Sequence, residues 1–78
     1  MHDDILNEIK RAVESSIEGS KASASSPSGG HFEVRVKAAA FSGKTPLQQQ
    51  RMVLTAISHL MKGDNAPVHA VDKIHIEV

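Results

Sequence analysis

Five histidines and no cysteine set the chemistry open to this chain of 78 residues. Without a thiol there is no disulfide, no thiolate nucleophile and no zinc finger. Imidazole remains, as a proton carrier or a metal ligand. His69, in "APVHAV", and His31, in "SGGHFEV", each stand where a loop meets a strand. Such a junction holds a side chain on a scaffold while leaving it accessible. Neither has an H-x-x-x-H companion or a neighbouring carboxylate partner, so spacing alone does not make a metal site. The other three read as solvent-facing. His59 shares the polar side of a helix with Thr55, Ser58 and Lys62. His75 lies between Ile74 and Ile76 and turns away from them. His2 sits at a terminus expected to fray.

Other reactive patterns are missing. Serine is abundant, but there is no G-x-S-x-G nucleophile elbow. "GKT" follows a strand without the upstream glycine of a phosphate-binding loop. A domain of this size buries only about 60% of its unfolded surface, which leaves little room for a sealed pocket. Enzymatic activity is not expected of the chain by itself.

The composition is that of one small globular domain, residues 1–78, with 40% hydrophobic and 23% charged residues. Trp and Tyr are absent and only two Phe occur, so aliphatic side chains must build the core. The net charge is zero but unevenly placed. Residues 1–20 carry five acids against two bases, and residues 21–78 carry seven bases against four acids. Long-range attraction to polyanions is expected to be weak, with a local basic face possible at Arg35, Lys37, Lys44 and Arg51. "MHDDIL" has neither the basic nor the apolar region of a secretory signal, and nothing approaches the roughly 20 apolar residues of a membrane span. An intracellular protein is expected, cytoplasmic, or mitochondrial if a targeting segment has been removed.

The elements that must position the histidines follow from periodicity. Ile5, Ile9, Val13 and Ile17 form one stripe on a first helix, with Leu6 and Ala12 beside them and Asp3 or Asp4 as the cap. "EGSKASASSPSGG" lacks large apolar residues and reads as a flexible loop around 19–30, with weak support for a polar edge strand. "HFEVRVK" alternates and is the clearest strand. Thr45 and Gln48 form a capping box with Pro46 at the first helical position. Leu47, Val53, Leu54, Ile57, Leu60 and Met61 are expected to be that helix's buried side, and Gly63 its C-cap. "DNAP" is a turn, and a last strand carries Val71, Ile74, Ile76 and Val78. The apolar phase slips between Val71 and Ile74, which predicts a bulge near Asp72. Helices must cover one face of the sheet, giving a two-layer α+β domain.

"HFEVRVKAAAFSGKTPLQQQRMVLTAI", followed by "VHAV", resembles the BolA-like family. Phe41, Gly43, Lys44, Leu47, Gln48, Arg51, Val53, His69 and Ala70 carry the resemblance, which covers roughly residues 29–72. It implies a helix–strand–strand–helix–helix–strand order similar to class II KH domains. It also makes "KASASS" the first strand and breaks the second helix into two. It implies a partner, a monothiol glutaredoxin with glutathione, and a 2Fe-2S cluster shared with it, for which the BolA-like chain supplies histidine. The family's histidine before alanine corresponds to His69. A second ligand comes from the loop between the first two strands. His31 fits that role, and it equally fits the strand start of members whose loop ligand lies further upstream. Relatives usually continue beyond the position of Val78 with a polar tail.

Imidazole can replace thiolate on one iron of such a cluster, so a chain without cysteine is suited to completing a cluster rather than holding one alone. The isolated chain is expected to be monomeric and to bind no cofactor, with roles in iron–sulfur trafficking or iron homeostasis. The alternative is a nucleic-acid-binding transcriptional regulator, although "SGKTP" is not the G-x-x-G loop of a KH domain. A third possibility is a protein-interaction module without metal.

Overall fold

A computed structural model of the chain describes residues 2–28, 31–63 and 66–78; of His2, Asp3 and Ser28 the backbone alone is described. The first helix, α1 (His2–Ser16), buries Ile9 and Val13 completely and Ile17 just beyond its end, as the i, i+4 spacing dictates. It begins earlier than the cap reading allowed. Asp3 and Asp4 lie inside its first turn, where a carboxylate still favours the helix dipole. Gly19, at φ +73°, turns the chain back. The Glu14 carboxylate then accepts from the Ala22 N–H at 3.0 Å and fixes the start of the next element.

That element is a strand, β1 (Lys21–Ser28), where composition suggested a loop and the family resemblance a strand. "KASASS" is a period-2 pattern drawn with the smallest side chains. Ala22 is buried and Ala24 half-buried beneath α1, while Ser23 and Ser25 are exposed. β1 pairs antiparallel with β2 (His31–Lys37), from Lys21 opposite Lys37 to Ser25 opposite Glu33. The ladder becomes irregular between Ser25 and Ser28, around Pro27, a residue that sheets admit only at edges and bulges. Ser26 Oγ donates to the His31 carbonyl at 2.9 Å and ties the end of the hairpin.

β2 is the central strand of the order β1-β2-β3 and buries Phe32, Val34 and Val36. It leads through a 3-10 turn (Ala39–Phe41) that plants Phe41 in the core. The second helix, α2 (Pro46–Ile57), opens with both halves of the capping box. Gln48 N–H donates to Thr45 Oγ1 at 3.2 Å, and Thr45 N–H donates to Gln48 Oε1 at 3.0 Å. Val53, Ala56 and Ile57 are buried, joined by Leu60 one turn on. Leu47 and Leu54 are not part of that side, being 57% and 37% exposed. Each residue advances 100° around a helix, so Leu54 is turned well away from Val53, and Leu47 lies over Leu54 two turns earlier. The helix breaks at Ile57 (φ −110°, ψ 8°), and a 3-10 turn, Ser58–Leu60, follows. The two-part second helix thus takes the form of one helix and one short turn. The caps are Ser58 for the helix and Met61 for the turn, so Gly63, at φ +90°, is not the expected C-cap but lies two residues beyond Met61. Asp64 and Asn65 of the expected "DNAP" turn lie outside the described residues.

The last strand, β3 (Ala70–Glu77), runs parallel to β2. Phe32 lies opposite Val71 and Glu33 opposite Lys73, so Asp72 is an extra residue and the predicted bulge is present. Both helices cover one face of the sheet. The other face, with Glu33, Arg35, Lys37, Lys73, His75 and Glu77 in register, is open to solvent. The result is the two-layer α+β fold expected from the sequence. No buried charged or polar residue occurs among the described residues. No helix among them is long and apolar enough to cross a membrane.

Candidate functional site

Because β2 and β3 are parallel, both begin at the same end of the sheet. His31 opens β2 opposite Ala70, the first residue of β3, and His69 directly precedes Ala70. The two candidate ligands, far apart in sequence, are thereby brought to one end of one strand pair, and both are exposed. The approach to His69 is firmly held: Val68 is completely buried and its N–H donates to the Leu60 carbonyl at 3.2 Å. A buried residue before it and a half-buried one after it present His69 from a fixed backbone.

The expectation that His31 lacks a carboxylate partner is corrected by the bulge. His31 Nδ1 lies 3.2 Å from Asp72 Oδ1, with the side chains 50% and 46% exposed. A sequence separation of 41 hides this pairing from sequence spacing. Its one trace is the phase slip after Val71, which marks Asp72 as the inserted residue. Among the described residues no group of three or more histidine, cysteine, aspartate or glutamate side chains is placed to hold a metal ion. Two exposed histidines at one end of a strand pair fit a role as one or two ligands completing a centre whose remaining ligands come from elsewhere. They do not fit a self-sufficient site.

The other histidines are placed elsewhere. His59 is exposed in the 3-10 turn after α2, bordering a groove with Glu8 and Arg11. His75 is on the open sheet face with Nε2 4.0 Å from Glu33 Oε1. The side chain of His2 lies outside the described residues.

The four candidate basic contacts divide between two surfaces. Arg35 and Lys37 stand on the open sheet face, where Arg35 Nη1 is 3.8 Å from Glu77 Oε1. Arg51 lies in the helical layer, lining a groove of ≈ 430 Å³ with Ile17, Gln48, Met52 and Thr55. Lys44 is exposed in the turn before α2, its carbonyl accepting from Gln49 Nε2 at 3.2 Å.

Apart from half-buried Ala70, the residues that carry the family resemblance sort into two kinds. Phe41 and Val53 are core, Gln48 closes the capping box, and Gly43 takes a φ of +78° that side chains rarely adopt. Those four are explained by folding. Lys44, Leu47, Arg51 and His69 are exposed, and the fold does not require them. Surface positions of this kind are where contacts to other molecules are made.

Comparison with known proteins agrees with this architecture. A family model described as BolA-like protein matches residues 6–76. A bolA protein homologue from Coxiella burnetii has 30% identity, covers 91% of this chain and 87% of its own, and superposes with a TM-score of 0.72. BolA1 from Mus musculus has 29% identity and a TM-score of 0.61, covering 95% of this chain and 63% of its own. The BolA domain of SufE1 from Arabidopsis thaliana shares the fold, with a TM-score of 0.75 over 94% of this chain and 90% of its own, at 16% identity. A search of curated proteins finds no match. With the family model spanning residues 6–76 and a homologue at 30% identity superposing over 91% of the chain, the chain belongs to the BolA-like family.

Proposed function

We propose that this chain is a non-enzymatic adaptor that binds a monothiol glutaredoxin and completes a shared 2Fe-2S cluster through His69, serving iron–sulfur trafficking or iron homeostasis. The observation that carries the reading is the placement of exposed His69 and exposed His31 at the same end of the β2/β3 pair, in a chain without a thiolate. The cluster, when bound, supplies iron positions with affinity for imidazole. The chain's part is to present a neutral ring nitrogen from a rigid backbone and to offer a docking surface. The buried Val68 anchor does the first. Lys44, Leu47 and Arg51 are exposed on the helical layer and the turn that leads into it, away from the His69 end of the sheet, and any contact they make with a partner is separate from the ligand position.

The test is direct mixing. The chain is added to a cluster-loaded monothiol glutaredoxin carrying glutathione, and visible circular dichroism is followed together with gel filtration. A heterodimer with a spectrum distinct from the glutaredoxin's own supports the proposal. No complex, with the glutaredoxin spectrum unchanged, would refute it. The regulator reading finds less support, since Arg35 and Lys37 stand on the sheet's open face whereas Arg51 lines a groove in the helical layer.

A further inference from the structure

We propose that Asp72 is a positioning residue for His31: its carboxylate holds the ring as the Nδ1–H tautomer and leaves Nε2 as the bare, outward-available nitrogen. The purpose of that arrangement rests on the adaptor reading above, whereas the pairing itself stands on geometry alone. His31 Nδ1 and Asp72 Oδ1 are 3.2 Å apart. An ionised carboxylate can only accept a hydrogen bond, so a neutral imidazole facing it must carry its proton on Nδ1. The lone pair then belongs to Nε2. Metal-binding histidines are set up in this way, the second nitrogen donating to a carboxylate that fixes the tautomer and the ring orientation.

The backbone is built to make this contact. Asp72 is the residue by which β3 exceeds β2, between the Phe32–Val71 and Glu33–Lys73 pairs. A bulge breaks the ladder locally and re-aims a side chain, while pairing resumes beyond it. The core phase is kept by Val71 before it and Ile74 after it, so the inserted position is free to carry a polar group. On the other side, Ser26 Oγ bonds the His31 carbonyl, restraining the backbone and leaving the ring to Asp72. The bland reading is an exposed ion pair with a protonated ring, which contributes little to stability. That reading predicts the Nε2–H preference of a free side chain once the ring is neutral.

Long-range proton–nitrogen spectra of the isolated chain in alkaline solution, where imidazoles are neutral, distinguish the two. His31 is expected to show a protonated Nδ1 and a bare Nε2. In Asp72→Ala the assignment should move to the Nε2–H form that free side chains favour. Asp72→Asn, which keeps the bulge and its size but can turn either amide end toward the ring, should give a mixture. An Nε2–H ring in the unaltered chain, or no change in Asp72→Ala, would overturn the proposal. The second readout is the mixed spectrum with cluster-loaded glutaredoxin, where Asp72→Ala should reproduce the change produced by His31→Ala. A changed spectrum for His31→Ala alone would overturn the positioning role. Absence of any mixed complex with the unaltered chain would refute the adaptor reading, and the tautomer result would then decide the pairing by itself.

Discussion

His31 lies directly opposite Ala70 in the parallel β2/β3 ladder, and this single register brings it to the same end of the sheet as His69, the residue before Ala70. A parallel pair needs a long crossover, here α2 and its following turn, before the second strand can return to the same end. The crossover is therefore what brings two remote histidines to one end of the sheet. Any slip of β3 by one residue would face its apolar side chains to solvent, so the core protects the geometry of the site.

The isolated chain should be colourless and should hold no cluster. It offers two exposed histidines at one end of the sheet and no thiolate, and no group of three or more ligands among the described residues. Iron and sulfide analysis of the untagged protein after anaerobic reconstitution checks this. Stoichiometric iron and sulfide on the chain alone would contradict it.

Stability should depend steeply on the α2 core side and hardly at all on its outer stripe. Ile57→Ala removes a completely buried side chain and should cost about 2–5 kcal/mol. That is most of the stability of a domain of this size, which is on the order of 5 kcal/mol. Leu47→Ala should change stability by about 0.5 kcal/mol or less. Urea unfolding of both variants decides; equal losses would show that Leu47 is packed in solution.

Gly43→Ala tests backbone conformation without steric contact. Nothing lies within 4 Å of the added Cβ, yet φ is +78°. The expected cost is about 1–2 kcal/mol, the penalty for a side chain in left-handed backbone, and Gly43→Asn should lose less. An Ala variant as stable as the parent would mean that the turn relaxes freely.

β1 should be the least protected strand. Its inward residues are alanines, so little apolar burial opposes local opening. Hydrogen exchange should show amides of Lys21–Ser28 exchanging faster than those of β2. Equal protection would show that the ladder alone suffices to hold it.

Duplex DNA should bind weakly, with a shallow dependence on salt, because the four candidate bases are divided between two surfaces. Titration at two salt concentrations measures this. Tight, sequence-selective binding with a steep slope would establish the regulator reading instead.

Much of this was legible in the sequence. The stripe of α1, the alternation of β2 and the Thr45–Gln48 box each express a local rule that the tertiary structure leaves intact. The bulge at Asp72 was legible as a break in period. What composition could not settle was β1, because an Ala/Ser alternation has the right period but almost no hydrophobic amplitude; the family resemblance supplied it. Leu47 and Leu54 were misassigned because leucine was taken as buried by type, although their angular position excludes them from the side defined by Val53, Ala56 and Ile57. The His31–Asp72 pair joins two strands through the bulge, a tertiary relationship that no local pattern encodes.

The most direct test of the central claim is the visible circular dichroism of His69→Ala mixed with cluster-loaded monothiol glutaredoxin. The variant should fold normally, since His69 is exposed, and should fail to produce the spectrum specific to the mixed complex. His31→Ala should alter or weaken that spectrum, and His59→Ala and His75→Ala should leave it unchanged. A His69→Ala spectrum identical to that of the unaltered chain would contradict the account.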